Sequence, residues 1–122
     1  MAENTPPTSL MDTVEAVLLR TSKLMEETGI LLEPMQREDL AEIREGTLRL
    51  MRLLEKVAAG TWKPNSLVHD LRSPLNIIIG YSEMLLDDKT APFSDSQRGE
   101  LNFIHETGLE LAKRINELYK ED

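Results

Sequence analysis

Residues 66–85 read SLVHDLRSPLNIIIGYSEML, and their spacing decides the fold. Leu67, Leu71, Leu75, Ile78, Ile79, Leu85 and, just beyond, Leu86 recur at intervals of three and four, the repeat of one helix face. The spacing predicts a helix from about Asn65, just after Pro64, to about Asp88. Pro74 stands inside it, where proline removes a backbone N–H and clashes with the carbonyl four residues earlier, here that of Asp70. The unbroken apolar phase across Pro74 favours one bent helix over a helix that stops at Ser73 and restarts.

Three more helices are expected around this one. The first spans about Thr8 to Glu27, preceded by Pro6 and Pro7 and ended by Gly29, with Leu10, Val14, Val17, Leu18, Leu24 and Met25 on its stripe. The second spans about Met35 to Ala59, with Leu40, Ile43, Leu50, Leu53, Leu54 and Val57 inward and Gly60 at its close. Lys89 to Ser96 contains Pro92 and reads as a loop. The fourth helix spans about Asp95 to Tyr119, with Leu101, Ile104, Leu111, Ile115 and Leu118 facing the core. No stretch alternates as a half-buried strand does. The expected fold is all-α, with antiparallel helical hairpins forming a four-helix bundle.

The two halves resemble each other. Shifted by 61 residues, Leu10 meets Leu71, Val14 meets Leu75 and Val17 meets Ile78, while QREDLAEIREGTLRL lies on QRGELNFIHETGLEL without a gap. Residues 1–61 therefore read as one helical hairpin, a candidate degenerate copy of the hairpin 62–122. Chance matching of Leu-rich amphipathic helices is the competing explanation.

Composition narrows the function classes. The chain has 122 residues, enough for one domain with its own core, and no cysteine, so disulfides and thiolate metal sites are excluded. A net charge of -8 disfavours nucleic acid and anionic membranes as partners. No apolar run approaches the roughly 20 residues that span a bilayer, and no signal peptide is visible. These features suit the cytoplasm. His69 and His105 match no metal-ligand spacing, and no metal or cofactor is expected. His105 reads as a surface or packing residue, the charged residues Arg44, Arg49, Arg52 and Lys56 as an outer face, Asp87 and Asp88 as a solvated helix end, and Trp62 as a lid on the bundle or an exposed partner contact.

Helical phase places His69 about 140° from the centre of its apolar stripe, with Ser73, Asn76 and Gly80 on the same outward side. A neutral imidazole carries a free lone pair near neutral pH and can act as a nucleophile. The small neighbouring side chains leave room for a partner along the helix. The order His69-Asp70-Leu71-Arg72-Ser73-Pro74-Leu75-Asn76, followed by Ile78, Ile79, Gly80 and Tyr81, resembles the H-box of the dimerisation and phosphoacceptor domain of bacterial sensor histidine kinases. LNFIHETGLELAKRINEL is similar to that domain's second helix.

The resemblance covers about residues 64–120 and implies a role for each matching residue. His69 would be phosphorylated and hand the group to an aspartate of a response-regulator receiver domain. Asp70 would orient the imidazole and accept its proton. Ser73 stands where many family members hold threonine or asparagine for dephosphorylating the receiver, and serine departs from that choice. Pro74 matches the helix-bending proline, and Asn76 and Gly80 complete the docking face.

The 122 residues contain no Gly-rich phosphate loop and no ATP-binding domain of the kind that follows this hairpin in sensor kinases. Alone the chain is not expected to act as a kinase, and a histidine kinase or its ATP-binding domain would act in trans. The chain reads either as a small protein working with partners or as a piece of a longer kinase. Family members pair two hairpins from two chains. Here one chain could supply both as an internal pseudo-dimer, or two chains could form a homodimer. The expected function is relay of a phosphoryl group via His69 to or from a receiver domain, and the alternative is a non-catalytic docking protein that binds or sequesters a regulator or kinase.

Overall fold

The computed structural model describes the backbone of residues 6–60 and 67–119, and side-chain surroundings from Leu10 onward within those spans. Four helices follow one another: α1 (Pro6–Thr28), α2 (Pro34–Ala58), α3 (Leu67–Asp87) and α4 (Asp95–Leu118). Among the described residues there is no strand. Trp62, Pro64 and Asn65 lie outside the described residues, as does the expected start of the third helix. Pro6 and Pro7 fall inside α1 rather than before it. Proline is tolerated there because the first turn has no carbonyl to receive its missing N–H.

The helices close into a bundle within one chain. α2 packs on both α1 and α3, and α4 packs on both α3 and α1, while α1 and α3, like α2 and α4, stand diagonally, with no close backbone approach among the described residues. Successive helices are antiparallel neighbours, and each covers the apolar stripe of two others. Leu10, Val14, Val17, Ile43, Leu50, Leu71, Leu75, Ile78, Leu101, Ile104 and Leu111 are fully enclosed. Leu118 is not: it is 42% exposed at the last residue of α4. Leu18, Met25, Leu53, Val57, Ile79 and Leu86 lie half-buried at the edges of their stripes.

The two hairpins correspond position by position. Pro34 and Asp95 start α2 and α4, 61 residues apart. Buried pairs keep the same offset: Leu24 with Leu85, Leu32 with Phe93, Leu40 with Leu101, Leu54 with Ile115, and the hydroxyl residues Thr21 with Ser82. The turns correspond as well. The Glu33 N–H donates to Gln36 Oε1 at 3.0 Å, and the Ser94 N–H donates to Gln97 Oε1 at 2.9 Å, with Gln97 N–H returning a bond to Ser94 Oγ at 3.1 Å. These bonds occupy donors that a helix start leaves unsatisfied. Arg37 reaches back to the Gly29 carbonyl at 3.0 Å. Its counterpart Arg98 reaches the Leu86 and Asp88 carbonyls, each at 3.1 Å. Both guanidinium groups thus serve carbonyls at the end of the preceding helix.

Asp88 is more engaged than a solvated helix end. Its carboxylate accepts from the Thr90 hydroxyl at 2.6 Å, the Thr90 N–H at 2.9 Å and the Gln36 amide at 2.9 Å. These bonds hold its pKa below the ordinary value of 3.8, the Thr90 hydroxyl contributing most. The Gln36 bond ties the α3–α4 turn to the start of α2.

Candidate functional site

α3 runs through Pro74 without a break. Pro74 itself is buried, and its carbonyl faces α2 beside Gly46. A Cβ on Gly46 would lie 3.1 Å from the Pro74 oxygen and 3.0 Å from Ile77 Cγ2. On the other flank, a Cβ on Gly108 of α4 would lie 3.0 Å from Ile79 Cγ1 and 3.3 Å from Ile78 Cγ2. Each neighbour of α3 therefore presents a glycine where α3 comes closest. Both glycines are buried in helix interiors, where glycine costs about 1 kcal/mol relative to alanine. Sequence reasoning missed them, although an interior helical glycine is itself a signal of close approach.

The solvent side of α3, beside this contact, carries the candidate chemistry. His69, Ser73 and Asn76 are exposed, as helical phase requires, and Asp70 and Gly80 are half-buried. His69 sits in the first turn of α3 as described and makes no hydrogen bond or ion pair among the described residues. Asp70 does not bond to it, which fits the geometry of adjacent helix residues. Arg72 lies on the flank towards α4 and donates to Asn116 Oδ1 at 2.8 Å. His105 is half-buried on α4. Among the described residues no group of His, Asp and Glu side chains could hold a metal ion, and no helix is long and apolar enough to cross a membrane.

Gly80 differs from Gly46 and Gly108. A Cβ added there would meet nothing within 4 Å. Nothing inside the chain requires its glycine. Gly80→Ala is expected to raise stability by up to about 1 kcal/mol through helix propensity alone. Urea unfolding monitored by circular dichroism measures this, and an unchanged or lower midpoint contradicts it.

The chain thus presents, on a bundle of two antiparallel hairpins, a solvent-facing histidine followed by an acid and, five residues on, by a helix-interior proline. Residues 65–120 match the His Kinase A (phospho-acceptor) domain. The chain is similar to the cell-division control histidine kinase PdhS of Brucella ovis, 39% identical over 51 residues that cover 41% of this chain and 5% of that protein. The PdhS of Brucella suis matches to the same extent. The circadian input-output histidine kinase CikA of Thermosynechococcus vestitus is 42% identical over 50 residues, covering 41% of this chain and 7% of CikA. The chain thus spans only a small fraction of the length of these relatives. No solved structure matches it.

Proposed function

We propose that this chain is a cytoplasmic phosphotransfer module in which His69 accepts a phosphoryl group and exchanges it with a response-regulator receiver domain. The observation that carries this reading is the exposed His69, with Asp70 next to it and Pro74 one turn on, inside a segment that matches the phosphoacceptor domain. In the forward step an imidazole nitrogen attacks the phosphorus of the donor, the bond from phosphorus to the donor oxygen breaks, and the ring proton passes to Asp70 or to water. In the return step a receiver carboxylate attacks the same phosphorus, the N–P bond breaks, and the ring nitrogen recovers a proton. Ser73 holds the position from which a hydroxyl can order water for receiver dephosphorylation. Asn76 and Gly80 keep the outer face of α3 low enough for a partner to lie along it.

The donor is a histidine kinase or its ATP-binding domain acting in trans. Residues 1–61 form a degenerate copy of the hairpin 62–122, so one chain supplies both halves of a pseudo-dimer with one reactive histidine. The common offset of the α2 and α4 starts, buried pairs and turn bonds supports this reading.

Incubation with candidate kinases and ATP, followed by addition of receiver domains, tests the relay. Wild type is expected to gain an acid-labile, alkali-stable label that moves to the receiver. His69→Ala is expected to gain none while binding partners equally well. Partner binding without any histidine label in wild type refutes the relay and leaves a docking protein.

A further inference from the structure

Two grooves of the bundle correspond by pseudo-symmetry, and their charges differ. One lies between α2 and α3, the other between α4 and α1. The Gly46 contact fixes which residues line the first. Arg49 and Leu53 follow Gly46 by three and seven residues and so share its side of α2. Ser73 and Asp70 precede Ile77 by four and seven residues and share its side of α3. The helices are antiparallel, and the bond from Gln36 to Asp88 holds the same register at the far end. Arg49 therefore stands across the groove from Ser73, one helical turn from His69. It is exposed, and among the described residues no carboxylate pairs with it.

The corresponding groove is a cleft lined by Asp12, Thr13, Ala16, Glu106, Thr107 and Glu110. At an offset of 61, Asp12 corresponds to Ser73 and Glu110 to Arg49. A facing pair of carboxylates in one groove is thus a hydroxyl and a guanidinium in the other. In a chain of net charge -8, this exchange puts a cation near the histidine where the α4–α1 groove has a carboxylate, and the cation that reaches that other groove, Arg114, is taken up by Thr13 Oγ1 at 3.5 Å.

We infer that Arg49, supplied by the N-terminal hairpin, contacts the phosphoryl group carried on His69, an inference that rests on the proposed phosphotransfer. Guanidinium presents a planar fork of N–H donors that matches phosphoryl oxygens. The residue belongs to the half of the chain without a histidine, which gives that half a part in the chemistry beyond scaffolding. The groove is open to water, so the contact is partly screened and weakens with salt.

Phosphoramidate tests this on the whole chain without any kinase. The imidazole nitrogen attacks its phosphorus, the P–N bond of the reagent breaks, and ammonia leaves. Phosphorus NMR then follows the protein-bound phosphoryl group against pH in wild type, Arg49→Ala, Arg49→Lys and Glu110→Ala, with His69→Ala separating the His69 signal from any on His105. A nearby cation favours the doubly charged phosphoryl group. The wild-type signal is expected to titrate at lower pH than that of Arg49→Ala, with Arg49→Lys between them and Glu110→Ala like wild type. The difference should shrink in molar salt. Loading of His69 is expected to slow about two- to fivefold in Arg49→Ala, the range of an exposed charge contact. Identical titration and loading in wild type and Arg49→Ala overturn the inference. So does slower transfer to a receiver with an unchanged titration, because Arg49 would then face the partner. A His69 that cannot be loaded overturns it too. Failure of the relay is read separately, as absence of exchange with kinases and receivers while the phosphoramidate titration still reports on Arg49.

Discussion

Prepared without residues 1–61, the hairpin 62–122 is expected to lose its folded monomer and to pair with a second copy, while the full chain of 13.9 kDa sediments as a monomer. Leu71, Leu75, Ile78, Leu101, Ile104 and Leu111 are all fully enclosed in the full chain. Part of that enclosure comes from α2 lying on α3 and α1 lying on α4. Removing α1 and α2 strips one wall from each of the remaining helices. Two helices of this length bury too little apolar surface to offset the entropy of ordering them. A second hairpin supplies the missing wall with the same stripe spacing. The paired state should therefore melt at a temperature that rises with protein concentration. Sedimentation equilibrium and melts at several concentrations measure both effects. A hairpin that stays monomeric and melts like the full chain contradicts this account, as does a full chain that is a stable dimer.

Gly46→Val is expected to lower stability by about 2 kcal/mol. The first added atom already sits 3.0 Å from Ile77 Cγ2 and 3.1 Å from the Pro74 carbonyl oxygen. Ile77 can shift by a side-chain rotation, but the carbonyl belongs to the α3 backbone and can move only with the helix. The two further methyl groups of valine enlarge the overlap and push α2 and α3 apart just where the histidine helix carries its proline. A gain of a few tenths of a kcal/mol from helix propensity offsets part of this. Gly99→Ala is the control, because a Cβ there meets nothing within 4 Å. It should leave stability unchanged or slightly raised. Chemical denaturation of the two variants beside wild type measures the contrast, and a Gly46→Val protein as stable as wild type contradicts the close approach.

Most of the local structure was legible from residue order. The expected helix limits lie within about two residues of those observed wherever the chain is described, because apolar spacing and Gly or Pro punctuation act over one or two turns. Gly60 shows this: it adopts a positive φ of 74°, a conformation open to glycine, where α2 ends. The outward side of α3 was equally readable. His69, Ser73 and Asn76 are exposed because phase along one helix needs no knowledge of its neighbours. Leu118 was misread for the complementary reason. It has the phase of a core residue, but burial also needs a wall opposite, which phase along one helix does not supply.

The sequence by itself determined four amphipathic helices, their turns, and a histidine on the wet side of the third. It did not determine which helices are neighbours, since the same stripes satisfy a bundle closed within one chain and one closed between two. The tertiary structure decided that, by setting α2 on α3 and α4 on α1. It also decided that Gly46 meets Pro74, and so that Arg49 stands across the groove from the H-box face. Such pairings join residues far apart in the chain. Their energies come from close packing between helix surfaces, which no local periodicity encodes.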